Sequence, residues 1–155
     1  MKSNGLMRIK SNRRSLSLMH GPLSDRFERL QIGMSVSMLR TVMEEDVNAC
    51  ARISGDDNLI HMSESFAIGR GFTGRVAHGL FTVSMISELT GKKMPGPSTI
   101  RSVNYLSPVQ IGDVVFARVE VADPIRDRRR ARLRYECWVD ARQILAGDAI
   151  VKVPV

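Results

Sequence analysis

Within eight residues, Ser54-Gly55-Asp56-Asp57-Asn58-Leu59-Ile60-His61, the chain brings together two acids, an amide and an imidazole. A carboxylate and an imidazole can move protons near neutral pH, because one titrates low and the other near 6.5. The apolar neighbours of the run allow a dry site. A second run, Ala77-His78-Gly79-Leu80, sets a histidine and a glycine just ahead of an apolar helical stretch. Backbone N–H groups at a helix start lack intrahelical partners and can stabilise developing negative charge. Together the runs read as a small acid–base enzyme acting on a carbonyl compound.

Asp56 and His61 are five residues apart. On a regular helix that separation is about 140° of rotation, so they converge only where the chain turns irregularly. Gly55 and Asn58 permit such a turn. The plainer reading is that Asp56 and Asp57 are solvated turn residues and His61 packs at the surface. Asp57, one position out of register, is expected to be solvated in either case. His78 is either a second catalytic imidazole or a side chain that holds the helix start by a hydrogen bond. Gly79 either lets a substrate approach the backbone or merely lets the helix pack tightly.

Several elements must position these residues. Residues 21–40 read as a linker entering a first strand, since Ile32–Met38 alternates apolar with small or polar residues. Thr41-Val42-Met43-Glu44 fits a capping box, with Thr41 at the N-cap and Glu44 at N3. The helix that follows runs to about Ile53, buries Met43, Val47, Cys50 and Ala51, and stops at Gly55. Residues 62–77 read as a flexible segment whose glycines match no phosphate loop. A second helix is expected from about His78 to Leu89, apolar on most faces and ended by Gly91 and Pro95-Gly96-Pro97. Strands are expected over Ser98–Leu106, Val114–Ala122, Ala131–Val139 and Ile144–Val153, as a four-strand meander. In the third, Ala131, Leu133, Tyr135, Cys137 and Val139 share one face. The order is that of an α+β domain whose sheet wraps the helix.

Composition narrows the class. A chain of 155 residues, 43% hydrophobic, is one domain with one core. No apolar run is long enough to span a membrane. Two cysteines, Cys50 and Cys137, form neither a disulfide framework nor a zinc site, and both are expected reduced and buried in a cytosolic-type compartment. Residues 1–20 hold five basic residues and no acid, so +5 of the net +7 sits in a basic N-terminal extension ahead of a domain over 21–155. That extension is either a loosely held tail or an organelle transit segment, in which case the compartment is an organelle matrix rather than the cytoplasm. Arg128, Arg129 and Arg130 form a basic hairpin tip with Arg132 and Arg134 nearby. The tip is a solvated turn, a contact for coenzyme A phosphates or a nucleic-acid surface. Aromatics are only 5% and none interleaves with the arginines, which disfavours nucleic acid.

Three motifs carry a family resemblance. Segment 54–61 resembles the MaoC-like, or hydratase 2, signature of small residue, Gly, Asp, any residue, Asn, Pro, Ile or Leu, His. Val76-Ala77-His78-Gly79-Leu80 is similar to that family's approach to its central helix. Val103–Asp113 is similar to its strand-to-strand pattern ending in Pro-Val-x-x-Gly-Asp. The match covers roughly residues 30–153. Leu59 stands where the family usually has proline, and leucine leaves Asn58 freer. The resemblance implies a hot-dog fold, a curved antiparallel sheet around a long helix. It implies hydration of a trans-2-enoyl thioester to the (R)-3-hydroxyacyl thioester, or the reverse dehydration. The thioester carrier is coenzyme A or acyl carrier protein, part of the substrate rather than a cofactor. Carried over by position, Asp56 and His61 are the catalytic pair and Gly79 the backbone oxyanion donor. Asn58 and His78 position the substrate or the pair, and no metal is required. A homodimer with its site at the interface is expected. The alternatives are a hot-dog thioesterase and a non-catalytic acyl-CoA- or RNA-binding module.

Overall fold

The computed structural model describes residues 27–94 and 96–152. The basic extension over 1–20, the break at Gly21-Pro22 and the strand end at Val153 lie outside the described residues.

Strand β1 (Ser35–Thr41) is followed by helix α1 (Glu44–Ser54), two short helices, α2 (Leu59–Met62) and α3 (Glu64–Gly69), and the long helix α4 (Gly79–Lys93). Strands β2 (Ser98–Tyr105), β3 (Val114–Ile125), β4 (Arg130–Val139) and β5 (Arg142–Lys152) complete the chain, with a single 3₁₀ turn at Arg126–Arg128 between β3 and β4. The five strands form one antiparallel sheet in the order β1-β3-β4-β5-β2.

The expected four-strand meander is therefore corrected. β3, β4 and β5 do run as neighbours, but β2 crosses to the far edge beside β5, and β1 takes the place next to β3. Inserting α4 between β1 and β2 lets the chain pass over the sheet to its other margin. The helix packs against β1, β2 and β3. Alternation in β4 is as expected: Ala131, Leu133, Tyr135, Cys137 and Val139 are buried, while Arg132 and Arg134 face outward. The larger buried aliphatic side chains, Leu133 and Val139, each contribute roughly 1.5–3 kcal/mol on burial. Phe81, Met85, Ile86 and Leu89 of α4 belong to the same core.

Three local readings also change. The capping box does not form at Thr41, which ends β1. The helix N-cap is Met43, and the carboxylate of Asp46, at N3, accepts from its N–H at 3.0 Å. Met43 is consequently exposed, and Val47 is the buried residue of α1. Helix α4 is buried on most faces, as expected, but not on all. Leu80 is 44% exposed and Ser84 and Ser87 face outward, so one side of the helix is open. It also runs through Gly91 to Lys93. The segment read as a linker is partly core, since Phe27 and Leu30 are completely buried and Arg126 donates to the Leu30 carbonyl. Cys137 is buried and Cys50 half-buried, and neither is in a disulfide.

Candidate active site

The site is built on the chain between α1 and α4. Gly55 ends α1 in the left-handed conformation, φ 74°, and its N–H returns to the Ala51 carbonyl. The Ser54 hydroxyl then accepts from the Asp56 N–H at 3.1 Å, which turns Asp56 out of the helix. Asp56 accepts in turn from the Asn58 N–H at 3.3 Å. Asn58 is the N-cap of α2, its Oδ1 accepting from the Ile60 N–H at 3.1 Å. This cap holds Asn58 although Leu59 replaces the family's proline. Leu59 is the first residue of α2, the helical position proline tolerates best.

These turns bring His61 back to Asp56. The imidazole Nδ1–H donates to the Val76 carbonyl at 2.8 Å. A carbonyl only accepts, so the proton sits on Nδ1 and Nε2 is left to face Asp56 Oδ2 at 3.6 Å. That gap exceeds a hydrogen bond but suits two groups sharing a proton through water or substrate. Asp56 is half open to solvent, while His61 retains 14% of its side-chain exposure.

His78 is 3% exposed and forms the N-cap of α4. Its Nε2–H donates to the Asp56 carbonyl at 2.8 Å, tying the helix start to the acid's loop. Its Nδ1 is buried without a hydrogen-bond partner. The ring stacks on His61 with centroids 3.8 Å apart and planes 25° from parallel. Asp56, His61 and His78 each offer a potential metal-ligand atom within 4.8 Å of the others. Stacked rings are a poor chelate, however. Imidazole lone pairs lie in the ring plane, so an ion about 2.1 Å from one nitrogen stands well out of the other ring's plane.

An open cleft of about 480 Å³ borders the cluster. Asp56, His78, Gly79, Leu80, Tyr105 and Ile144 are among its walls. The start of α4 therefore faces the same space as the acid. A Cβ on Gly79 would lie 2.5 Å from the Tyr105 ring, so a larger residue here would push that ring aside. Tyr105 is a wall of the cleft that the sequence motifs do not single out. Its signal was present, an aromatic ending a strand inside the motif over 103–113. His61 is not a wall of the cleft and meets it at Asp56.

The arginine tip is not brought to this place within one chain. Arg130 stands opposite Lys152, whereas Leu145, beside the cleft residue Ile144, stands opposite Cys137. Seven residues of strand separate the two, about 23 Å at 3.3 Å per residue. Arg129 instead places its guanidinium 5.9 Å from the Phe27 ring centroid.

The MaoC-like domain family matches residues 29–137 of the chain. The chain belongs to the MaoC-like family. A 3-hydroxybutyryl-CoA dehydratase of Methylorubrum extorquens is 44% identical over 131 residues, which cover 83% of this chain and 83% of that protein. An (R)-specific enoyl-CoA hydratase of Rhodospirillum rubrum is 34% identical, with 83% of this chain and 91% of the relative covered. Among solved structures, an (R)-hydratase of A. caviae superposes with a TM-score of 0.76 at 30% identity, covering 82% of this chain and 99% of its own. The architecture is thus the MaoC-like hot-dog fold expected from the motifs. Relatives with these names are hydro-lyases, and this MaoC-like chain is an enzyme of that class. Among the described residues no helix is long and apolar enough to cross a membrane.

Proposed function

We propose that this MaoC-like protein adds water to a trans-2-enoyl-CoA to give the (R)-3-hydroxyacyl-CoA, or runs the reverse dehydration. The observation that carries this reading is the Asp56 carboxylate facing His61 Nε2 at 3.6 Å, beside a cleft that also borders the start of α4. Hydration needs water polarised, a proton delivered to Cα and the thioester oxygen stabilised as the enolate forms. Asp56 and His61 carry the first two tasks between them. The N–H of Gly79, at the positive end of α4, serves the third. Asn58 acts by capping α2, which carries His61. His78 acts by fixing the Asp56 carbonyl and by backing the His61 ring. No separate cofactor or metal is called for, since coenzyme A, or acyl carrier protein in its place, enters as part of the substrate.

The protein works as a homodimer in this reading. The cleft is open, and Leu80, Tyr105 and Leu106 beside it are 44%, 60% and 51% exposed, a surface a second copy would cover. Among the described residues β1 and β2 are the two edges of the sheet, and such edges invite pairing. The free thiols of Cys50 and Cys137 support residence in the reducing cytoplasm.

Crotonyl-CoA assayed by loss of its enoyl absorbance, with chiral analysis of the product, tests the activity. The reading predicts (R)-3-hydroxybutyryl-CoA and no free thiol. Release of coenzyme A thiol would identify a thioesterase instead. Tight acyl-CoA or RNA binding without turnover would identify a binding module.

A further inference from the structure

Arg75 is a charged residue with 9% of its surface exposed, and the chemistry proposed above does not use it. Burying a guanidinium is costly unless its donors are satisfied. Its Nε–H donates to the His61 carbonyl at 2.5 Å, Nη1 to Glu44 Oε1 at 2.7 Å and Nη2 to Asn48 Oδ1 at 2.7 Å. The Arg75 backbone N–H donates to Glu64 Oε2 at 3.1 Å. Helices α1, α2 and α3 therefore all converge on one residue that belongs to none of them.

The next residue completes the hold. The Val76 N–H donates to the Ile60 carbonyl at 3.1 Å, and the Val76 carbonyl accepts from His61 Nδ1–H at 2.8 Å. His61 is thus gripped at its carbonyl by Arg75 and at its ring by Val76. Helix α2 has four residues, too few to be stable unaided. Its placement must come from outside contacts, and the guanidinium is the charged one.

We propose that Arg75 is the positioning residue of His61. By spanning the His61 carbonyl, Glu44 and Asn48, it keeps residues 75–76 in register with residues 60–61. That register presents Val76 O to Nδ1 and so aims Nε2 at Asp56. Only the planar guanidinium fork reaches three acceptors at fixed angles; a lysine ammonium at the same position does not. The inference rests on His61 taking part in proton transfer, but its structural half does not depend on activity.

The test is Arg75→Lys in the full-length protein, read by kinetics and by ¹⁵N NMR of the histidine rings. Wild type is expected to show neutral His61 as a single tautomer protonated at Nδ1. Arg75→Lys is expected to average the two tautomers. Its kcat on crotonyl-CoA should fall on the order of 10–100-fold, the scale of a misplaced catalytic group. KM should change by less than about threefold, because the loss falls on the chemical step. Glu28→Gln, whose partner Arg126 lies away from the site, is the control and should keep kcat within about twofold. Arg75→Met is the harsher variant; if it fails to fold, Arg75→Lys still decides. Wild-type kcat in folded Arg75→Lys overturns the proposal. So does a lower kcat with unchanged His61 signals. If His61→Gln itself keeps turnover, the acid–base reading fails while the tautomer result still judges the positioning.

Discussion

Strand β4 and the segment from Ser54 to His78 are of similar importance and opposite construction. β4 is held by repetition: every second side chain enters the core, and both neighbouring strands supply ladder hydrogen bonds. The Ser54–His78 segment has two helices of four and six residues, and its buried apolar side chains are the small ones of Ala67, Val76 and Ala77. Its shape comes from single hydrogen bonds between unlike groups, such as Asp56 to Asn58, Asn58 to Ile60 and Arg75 to His61. A repeating element tolerates the loss of function elsewhere and fails as a whole. A segment built of individual bonds can lose its function without losing its fold. The two regions should therefore respond differently to substitution.

Leu133→Ala, in the middle of β4, should show the largest effect on stability. Removing a completely buried leucine costs about 2–5 kcal/mol. Denaturant unfolding should show that loss, while kcat of the remaining folded protein stays near wild type. A comparable loss of kcat would break the contrast. Gly79→Ala should act the other way round. Its methyl group would press on the Tyr105 ring, and turnover should fall about tenfold or more as the start of α4 or the ring shifts. The double variant Gly79→Ala/Tyr105→Ala should recover part of the rate, since the collision partner is gone. Failure to recover would show that the glycine serves another purpose.

These two residues also show what a sequence can reveal. Leu133 was legible because burial on one face of a strand imposes a period of two. The approach of Asp56 to His61 and the place of Gly79 at the start of α4 were legible because each motif is local. The order β1-β3-β4-β5-β2 was not, because β2 reads as a strand whichever edge it joins. Helices α2 and α3 were hidden because a single turn leaves no periodicity. Arg75 was hidden because its partners, Glu44, Asn48, His61 and Glu64, lie 11 to 31 residues away. The docking of Phe27 and Leu30 was not legible because two apolar residues make no pattern.

Smaller effects sharpen the same comparison. Leu59→Pro should stabilise the site segment by about 0.4–1 kcal/mol, because the first position of α2 tolerates the ring and proline narrows the unfolded ensemble. Asn58 already has ψ 134°, which a following proline requires. A lower melting temperature would mean that the turn is strained. Burial pushes the Cys137 thiol up to about 12, with Glu136 adding to the effect. At pH 8 its thiolate is scarce, so native protein should leave Cys137 unmodified by iodoacetamide and react only on unfolding. Fast labelling in native protein would show that β4 opens locally. Neutralising Arg128, Arg129 and Arg130 should change KM for acyl-CoA by less than about twofold if the tip is only a solvated turn about 23 Å along the strand from the cleft. A larger rise in KM, mimicked by salt, would show that the tip of a partner subunit meets the coenzyme A phosphates.

The central claim is that the irregular segment carries the chemistry through Asp56 and His61. Its most direct test is the turnover of Asp56→Asn and His61→Gln on crotonyl-CoA, each variant first shown by circular dichroism to keep the native fold. Each should lose roughly 10²–10⁴-fold in kcat, the range of a positioned acid or base, with a melting temperature close to wild type. Near-wild-type turnover in either variant would contradict the account.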